Sequence, residues 1–224
     1  MRVGVLALQG DFAEHMNALQ RADSEIETSA VRYAEQISGE LAIDALVIPG
    51  GESTAIARLV DDGNDPLFAA IKSRAQSGMP VYGTCMGSIF LAREIEGSKQ
   101  GRLALMDIAV KRNAFGAQRR SFEIDLPVAE LGAEAFPAVF IRAPIITSCG
   151  PAVTVMATIA EGIVMARQDN LLISAFHPEI VDDSRVHAYF IDMVRSALTA
   201  AGSVRSSEAL PFTGAGALSP APYH

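Results

Sequence analysis

The chain has 224 residues, 50% of them hydrophobic and 20% charged, a composition that fits one globular domain with a substantial core. The formal net charge of −8 argues against a nucleic-acid-binding protein, because phosphate recognition needs clustered lysine and arginine. No uninterrupted apolar run reaches the length of a membrane span, and two cysteines give neither a disulfide framework nor a zinc-ligand spacing. We therefore expect a cytoplasmic protein that uses no metal, no cofactor, no membrane and no nucleic acid.

The first part of the chain alternates short apolar runs with amphipathic segments. Residues 3–8 and 45–48 are continuous apolar runs, which are typical of strands buried on both faces, and residues 80–82 are a third short strand. Helical spacing predicts helices over residues 13–22, 53–59, 66–76 and 89–95, with Asp11 as the N-cap of the first. This alternation predicts an α/β fold with an open, mostly parallel, twisted sheet flanked by helices.

Beyond residue 103 the pattern changes to short β-prone runs that are separated by turn residues. They predict added strands, partly antiparallel, at residues 108–110, 122–124, 139–141, 153–155, 163–165 and 171–173. Residues 182–200 are predicted to form an amphipathic helix with Val186, Phe190, Val194 and Leu198 on one face. The composition then shifts to Ser, Gly, Ala and Pro, so we divide the chain into a domain at residues 1–201 and a flexible tail at 202–224.

The most informative segment is residues 80–88, which read Pro-Val-Tyr-Gly-Thr-Cys-Met-Gly-Ser. Gly-x-Cys-x-Gly is the cysteine form of a nucleophile elbow, a sharp strand-to-helix turn that exposes one side chain. Gly83 and Gly87 allow the close backbone approach that such a strained turn needs. Because the N-terminus of the following helix favours a negatively charged sulfur, Cys85 is a candidate nucleophile.

Two further segments are candidates to meet the elbow cysteine. Gly50 and Gly51 follow a strand and free the backbone to turn N–H groups toward an oxyanion, although many strand-to-helix turns look similar. Pro178 favours an extended backbone at His177, which would place His177 and Glu179 on the same side. A carboxylate beside an imidazole orients it, as in a catalytic triad. A lone histidine is more often structural, but beside an elbow cysteine His177 becomes the leading candidate base.

Two arginines and two other histidines are weaker candidates. An arginine near a catalytic centre can bind a carboxylate through two hydrogen bonds, although a surface position is the commoner explanation for Arg112 and Arg142. His15 and His187 fall on predicted helices, so they compete poorly with His177 for a catalytic role.

A series of short motifs then occurs in a characteristic order. They are Gly-Val-Leu-Ala-Leu-Gln-Gly followed by Glu14-His15, Pro-Gly-Gly-Glu-Ser-Thr, Gly-Thr-Cys-x-Gly, Arg-Asn-x-Phe-Gly, Ser-Phe-Glu, Phe-Ile-Arg-Ala-Pro and Phe-His-Pro-Glu. With these motifs, residues 3–195 resemble the glutaminase subunits of pyridoxal 5'-phosphate synthases, which are class I (triad) glutamine amidotransferases. Gly-x-Cys-x-Gly and His-x-Glu mark the broad superfamily. The Gln-Gly, Gly-Gly-Glu-Ser-Thr and Phe-Ile-Arg-Ala-Pro segments are specific to this family.

The resemblance implies a flavodoxin-like, class I glutamine amidotransferase fold and assigns roles to individual residues. Cys85 is the implied nucleophile, and His177 and Glu179 complete the triad. The positions that match the family's glutamine-binding residues are Gly51, Glu52, Ser53, Arg112, Ile141 and Arg142. We expect the oxyanion to be held by backbone N–H groups of Met86, Gly50 and Gly51.

The resemblance also implies an activity and a partner. L-Glutamine would be hydrolysed to L-glutamate and ammonia through a cysteine thioester. The ammonia would pass to a barrel-shaped synthase subunit that builds pyridoxal 5'-phosphate, so the implied assembly is a hetero-oligomer. A flexible Gly50–Gly51 peptide is a candidate switch that turns an N–H group inward when the synthase docks.

Departures and alternatives accompany this interpretation. Met86 follows the nucleophile where the family usually has alanine, and Ala117 stands where the family usually has arginine. Arg119 and Arg120 are candidates to compensate for the missing arginine.

One alternative function is that of a triad glutaminase that supplies purine, histidine or tryptophan synthesis. Another is a non-catalytic scaffold of the same fold, although a scaffold has no need of a complete triad.

Overall fold

The structure is a computed structural model that describes residues 1–40, 42–51, 65–115 and 121–208. The strands are β1 (Arg2–Leu6), β2 (Glu27–Val31), β3 (Ala45–Ile48), β4 (Val81–Thr84), β5 (Ala92–Ile95), β6 (Met106–Lys111), β7 (Ser121–Leu126), β8 (Phe136–Ile141), β9 (Ile145–Cys149), β10 (Thr154–Ile159), β11 (Gly162–Gln168) and β12 (Leu171–Ser174). The α-helices are α1 (Phe12–Ala22), α2 (Glu35–Ser38), α3 (Pro66–Gln76), α4 (Met86–Leu91) and α5 (Arg185–Glu208). Short 3₁₀ helices cover Ala129–Leu131 and Pro178–Ile180.

The main sheet has a parallel half and a largely antiparallel half. Its strand order is β2-β1-β3-β4-β12-β11-β9-β6-β5, with β10 also paired to β11. All neighbours from β2 to β12 are parallel. β11, β9 and β6 join in antiparallel fashion, and β7 and β8 form a separate antiparallel pair. The predicted open parallel sheet with added antiparallel strands is therefore confirmed.

The central strands are apolar on both faces because each face packs against its own layer of helices. In β3, Leu46 and Ile48 belong to one core, whereas Ala45 and Val47 belong to the other. α3 and α4 contribute buried side chains to the first core, and α1 and α5 contribute them to the second. This two-sided burial explains why these strands are continuous apolar runs rather than alternating ones.

Several element boundaries differ from the predictions. Residues 89–95 are not one helix, because α4 ends at Leu91 and the chain then turns to an extended backbone at Ala92 and pairs as β5 with β6. β2 and β9 were not predicted, since β2 has a single fully buried side chain and β9 ends in exposed residues. Asp11 stands at the N-cap of α1 but makes no side-chain capping bond. The predicted helix at 53–59 lies outside the described residues.

The last helix is longer than the prediction and crosses the proposed domain boundary. It runs from Arg185 to Glu208, and the division at residues 201 and 202 stays a prediction because 209–224 lie outside the described residues. Val186, Phe190 and Val194 are fully buried as predicted, but Leu198 is 41% exposed because it lies beyond the edge of the core. In the described part of the chain, no helix combines the length and apolar character that crossing a membrane requires.

Candidate active site

Cys85 lies at the turn between β4 and α4, where the Gly-x-Cys-x-Gly motif places it. Its φ of 47° and ψ of −105° belong to a region that non-glycine residues rarely occupy, so the backbone is strained here. A Cβ atom on Gly83 would lie 2.6 Å from the carbonyl oxygen of Gly87, and one on Gly87 would collide with the carbonyl oxygen of Ile48. Both positions therefore require glycine, because the backbone of α4 lies against Gly83 and the backbone of β3 lies against Gly87.

The fold brings His177 to Cys85 because the two residues follow adjacent parallel strands. β4 pairs in parallel with β12, so both strands end at the same edge of the sheet. The Cys85 N–H donates to the Ser174 carbonyl at 2.8 Å, and the His177 N–H donates to the Val139 carbonyl at 2.8 Å. These bonds anchor both backbones, and the two side chains lie side by side at the Gly50 turn, since a Cβ atom on Gly50 would lie 2.6 Å from His177 Cε1 and 3.3 Å from Cys85 Cβ.

Glu179 orients the His177 ring through its Nδ1 atom. Its Oε1 atom accepts a hydrogen bond from His177 Nδ1 at 2.7 Å, and the residue is only 3% exposed. The two side chains do face each other, but not through the extended backbone that the sequence predicted. Glu179 lies on the 3₁₀ helix Pro178–Ile180, and this tight turn brings its carboxylate back to the preceding imidazole.

The charge state of His177 follows from these contacts. Burial by itself lowers the pKa of an imidazole, but the electrostatic interactions of His177 with Cys85 and Glu179 outweigh it. The pKa of His177 rises from 6.5 to about 10. His177 is therefore an imidazolium at neutral pH, which places a proton donor beside the sulfur.

We expect His177 to keep its second proton well above neutral pH, which ¹⁵N chemical shifts of the labelled imidazole measure directly. Since the pKa is raised in the folded protein, the stability from this proton is fully present below pH 6.5 and is lost as the pH rises toward about 10. Cys85→Ala removes one of the two partners, so the pKa of His177 should be lower in that variant. A wild-type His177 that titrates near 6.5 would contradict this assignment.

The Gly50–Gly51 turn lies directly against the Cys85–His177 pair. The Gly50 N–H donates to Thr84 Oγ1 at 3.1 Å, so it is not directed at the cleft. The hydroxyl at the end of the neighbouring strand accepts this N–H, and the oxyanion role of the glycine turn stays a prediction. Gly51, whose φ of 143° is a glycine conformation, borders the cleft together with Met86.

Gly50→Ala should lower the turnover number without abolishing the fold. A Cβ atom at this position would lie 2.6 Å from His177 Cε1 and 3.3 Å from Cys85 Cβ, so the imidazole must move. A displacement of about 1 Å at a reacting group can reduce turnover on the order of 10²-fold. Steady-state kinetics and a thermal melt measure the two effects.

Gly132→Ala is the matched control for this substitution. Gly132 has a φ of 104° and nothing within 4 Å of an added Cβ, so alanine there strains the backbone without touching the cleft. It should lower the melting temperature and leave the turnover number unchanged. Equal turnover in Gly50→Ala and in the wild type would show that the imidazole position is not critical.

A cleft of about 750 Å³ opens beside Cys85, a size that suits a small molecule. Its lining residues are Asp11, Gly51, Cys85, Met86, Ile89, Arg112, Asn113, Ile141, Arg142 and His177. Of the predicted glutamine-binding residues, Gly51, Arg112, Ile141 and Arg142 are thus brought together, although they lie far apart in the chain.

The two arginines reach the cleft from the ends of different strands. Arg112 follows β6 and Arg142 follows β8. The Ala114 N–H donates a hydrogen bond to the Ala143 carbonyl at 3.4 Å, which joins the two segments. Arg112 Nη1 donates to Gln100 Oε1 at 2.6 Å, which holds the guanidinium in place. The cleft therefore carries two positively charged groups, the residue type that binds a carboxylate best.

Met86 lies within the described residues, whereas several other residues named in the sequence analysis lie outside them. Met86, where the related family usually has alanine, is 2% exposed and packs in the core with Ile89 and Phe90, although it also borders the cleft. The predicted residues Glu52 and Ser53 lie outside the described residues, as do Ala117, Arg119 and Arg120.

One cluster in the site has the composition of a metal centre. Asp11, His177 and Glu179 each offer a ligand atom within 4.8 Å of the others. However, His177 Nδ1 and Glu179 Oε1 are bonded to each other, and Asp11 is exposed. The cluster suits the orientation of an imidazole better than the binding of a metal ion, which needs those same lone pairs.

Sequence reasoning missed His15, which lies behind Glu179. Its position on a predicted helix argued against a catalytic role. In the structure, His15 shares the buried face of α1 with Leu19 and is 0% exposed. The sequence does place a histidine on the apolar face of an amphipathic helix. This feature could have indicated a buried polar contact, because a buried polar side chain needs a partner inside the protein.

Comparisons with known proteins give one consistent result. Residues 5–196 match the SNO glutamine amidotransferase family. The chain is 53% identical over 194 residues to pyridoxal 5'-phosphate synthase subunit PdxT of Carboxydothermus hydrogenoformans, covering 87% of this chain and 98% of that protein. It is 54% identical over 192 residues to the protein of the same name from Pelotomaculum thermopropionicum, covering 86% and 94%. A crystal structure described as a glutamine amidotransferase has a TM-score of 0.77 and 43% identity, covering 86% of this chain and 98% of that chain.

Proposed function

The chain belongs to the SNO glutamine amidotransferase family, and from this premise we propose that it is the glutaminase subunit of a pyridoxal 5'-phosphate synthase. It hydrolyses L-glutamine to L-glutamate and supplies the ammonia for vitamin B6 biosynthesis. The observation that carries the proposal is that Cys85 and His177 line the same cleft while His177 Nδ1 is hydrogen-bonded to Glu179 Oε1 at 2.7 Å.

In the proposed mechanism, the Cys85 sulfur attacks the side-chain amide carbon of glutamine. The thiolate is the nucleophilic form of cysteine, and His177 borders the cleft beside the sulfur, where it can exchange a proton with it. A tetrahedral intermediate forms, and its oxyanion is held by the Met86 N–H at the start of α4 and by an N–H of the Gly50–Gly51 turn. The elbow supports this role, since the helix N-terminus directs unpaired N–H groups toward the sulfur.

His177 then serves as acid and as base in turn. As an imidazolium it gives a proton to the leaving nitrogen, so the C–N bond breaks and ammonia departs. A glutamyl thioester remains on Cys85. The neutral imidazole takes a proton from water, which attacks the thioester carbonyl and releases glutamate and the thiolate. Glu179 keeps the proton on Nδ1 throughout, so that the other ring nitrogen faces the reacting atoms.

Glutamine is selected by both of its ends. Its α-carboxylate pairs with Arg142 or Arg112, while its side-chain amide reaches Cys85 at the other end of the cleft. We propose that this separation between the arginines and Cys85 selects glutamine over smaller amides. Glu52 and Ser53 are proposed from the family's pattern to contact the substrate as well.

The ammonia is proposed to pass to a synthase subunit without contact with bulk water, where it would be protonated. The curated relatives carry the word subunit in their names, which supports an obligate partner. The Gly50 N–H bond to Thr84 supports the idea that the glycine turn is a switch, because an inward turn of this peptide requires that bond to break. The isolated chain should then be nearly inactive.

A glutaminase assay with and without the barrel-shaped synthase subunit tests the proposal. Ribose 5-phosphate and glyceraldehyde 3-phosphate are the co-substrates, and glutamate and pyridoxal 5'-phosphate are quantified. We expect glutamate formation to depend on the synthase, and ammonium salt to replace glutamine as the nitrogen source. No glutamate in the presence of the synthase would overturn the function, whereas strong activity of the isolated chain would overturn the gating alone.

A further inference from the structure

A buried chain of polar side chains continues from Glu179 away from the cleft. His15 Nε2 lies 3.3 Å from Glu179 Oε2 and 3.1 Å from Thr84 Oγ1. On the other side of the ring, His15 Nδ1 lies 3.0 Å from His187 Nε2. His15, Thr84 and His187 are all 0% exposed, and the proposed bond-making and proton-transfer steps use none of them.

Both of these histidines are neutral at physiological pH. Burial is the main cause that lowers the pKa of His15 well below 6.5, and the nearby rings of His187 and His177 add to it. Burial, followed by the positive charge of Arg21, lowers the pKa of His187 to about 3. Each ring therefore carries a single N–H group, and the position of that proton decides what the ring can donate to.

Two arguments favour the tautomer of His15 that carries its proton on Nε2. His187 Nδ1 is buried without a hydrogen-bond partner among the described residues, so a proton there would be an orphaned donor. The His187 proton therefore lies on Nε2 and is donated to His15 Nδ1. Independently, an unprotonated His15 Nε2 would turn its lone pair toward the Glu179 carboxylate at 3.3 Å, which is repulsive.

We propose that His15 is a positioning residue of the glutaminase reaction, whose Nε2–H holds the second carboxylate oxygen of Glu179. Oε2 is buried and makes no well-directed hydrogen bond in the described residues, although His15 lies only 3.3 Å away. A buried carboxylate oxygen needs a donor, and the His15 N–H is shared between this oxygen and Thr84 Oγ1. The inference rests on the function proposed above, because it concerns the orientation of the same triad.

His15 also connects the triad to the glycine turn. Thr84 Oγ1 accepts the N–H of Gly50 at 3.1 Å and lies 3.1 Å from His15 Nε2. When the Gly50 peptide turns inward, its hydrogen bond to Thr84 breaks and His15 stays in contact with that hydroxyl. The same imidazole therefore contacts both the carboxylate that orients His177 and the hydroxyl that holds the turn.

Substitutions that imitate one ring nitrogen at a time test this role. His15→Phe keeps the ring shape but has no nitrogen, and it should lower kcat on the order of 10- to 100-fold, as the loss of an outer hydrogen-bond partner does elsewhere. His15→Gln places an amide nitrogen near the position of Nε2 and should restore part of the loss. His15→Asn places it near Nδ1, facing His187, and should not. The KM for glutamine should stay constant, since His15 does not border the cleft.

The assay uses the complex with the synthase subunit, and Tyr82→Phe is the matched control. It removes a buried hydrogen bond, from Tyr82 to Ser174 at 2.8 Å, on the same strand as Thr84 without touching Glu179. Its kcat should match the wild type. The His177 Nδ1–H resonance should shift in His15→Phe and stay in place in Tyr82→Phe.

Each outcome decides between the proposals. Equal kcat in His15→Gln and His15→Asn overturns the positioning role, even if His15→Phe does not fold. A fall in kcat that Tyr82→Phe reproduces would mean that His15 serves stability alone. A wild-type complex that hydrolyses no glutamine refutes the proposed function instead, and the His177 resonance then still reports whether His15 orients the triad.

Discussion

Cys85→Ala should lower the kcat of the synthase-bound enzyme on the order of 10⁶-fold, the loss seen when a catalytic nucleophile is removed. Alanine has no atom that can form the acyl-enzyme, and among the described residues that line the cleft Cys85 carries the one thiol. The two residues that border the elbow, Thr84 and Met86, are buried and carry no thiol. Glutamate release, followed by a coupled assay, measures the effect.

Cys149→Ala is the matched control for this substitution. Cys149 is also a free thiol, but it lies exposed at the end of β9 rather than at the elbow. Its replacement should leave kcat unchanged. An electrophilic glutamine analogue should label Cys85 and spare Cys149, with protection by glutamine, as read by mass spectrometry. Ordinary glutaminase activity in Cys85→Ala would show that Cys85 is not the nucleophile.

Glu179→Gln should lower kcat by roughly 10²- to 10⁴-fold, because the base is retained but its orientation is lost. Glu179 Oε1 accepts the His177 Nδ1–H at 2.7 Å, and an amide NH₂ group in its place would point a donor at that proton or at His15. The imidazole then adopts the wrong tautomer or turns away from the sulfur. Glutamine KM should change little, because Glu179 does not border the cleft.

Glu130→Gln, at an exposed position on a distant 3₁₀ helix, controls for the change of charge. It should retain full activity. In Glu179→Gln the pKa of His177 should fall below about 10, because the negatively charged carboxylate that raises it is gone. A fully active Glu179→Gln enzyme would leave the carboxylate with a structural role only.

The local chemistry of the sequence predicted much of the architecture. Continuous apolar runs at 3–8 and 45–48 became the buried strands β1 and β3, because both faces of the sheet are covered. The glycines on either side of Cys85 predicted the elbow, since no other residue fits under the neighbouring backbone. The half-buried strand β2 was not predicted because its hydrophobic pattern is weak. Its pairing with β1, rather than the burial of its side chains, makes this segment a strand.

The helix predicted at 89–95 shows how tertiary pairing overrides local preference. Residues 92–95 have helical spacing relative to Ile89, yet they leave the helix at Ala92 to pair with β6. Backbone hydrogen bonds in a sheet depend on a partner strand that lies more than ten residues further along the chain. Local periodicity carries no information on that partner.

By itself, the sequence determined the identity of the site, through a cysteine between two glycines, a His-Pro-Glu segment and a family pattern that spans most of the chain. Only the tertiary structure decided how those groups meet and what supports them. Parallel pairing of β4 with β12 brings Cys85 to His177, and the packing of α1 and α5 brings His15 and His187 behind Glu179. Residue types and short spacings encode chemistry, whereas contacts between distant segments, and the protonation that burial imposes on them, exist only once the chain has folded.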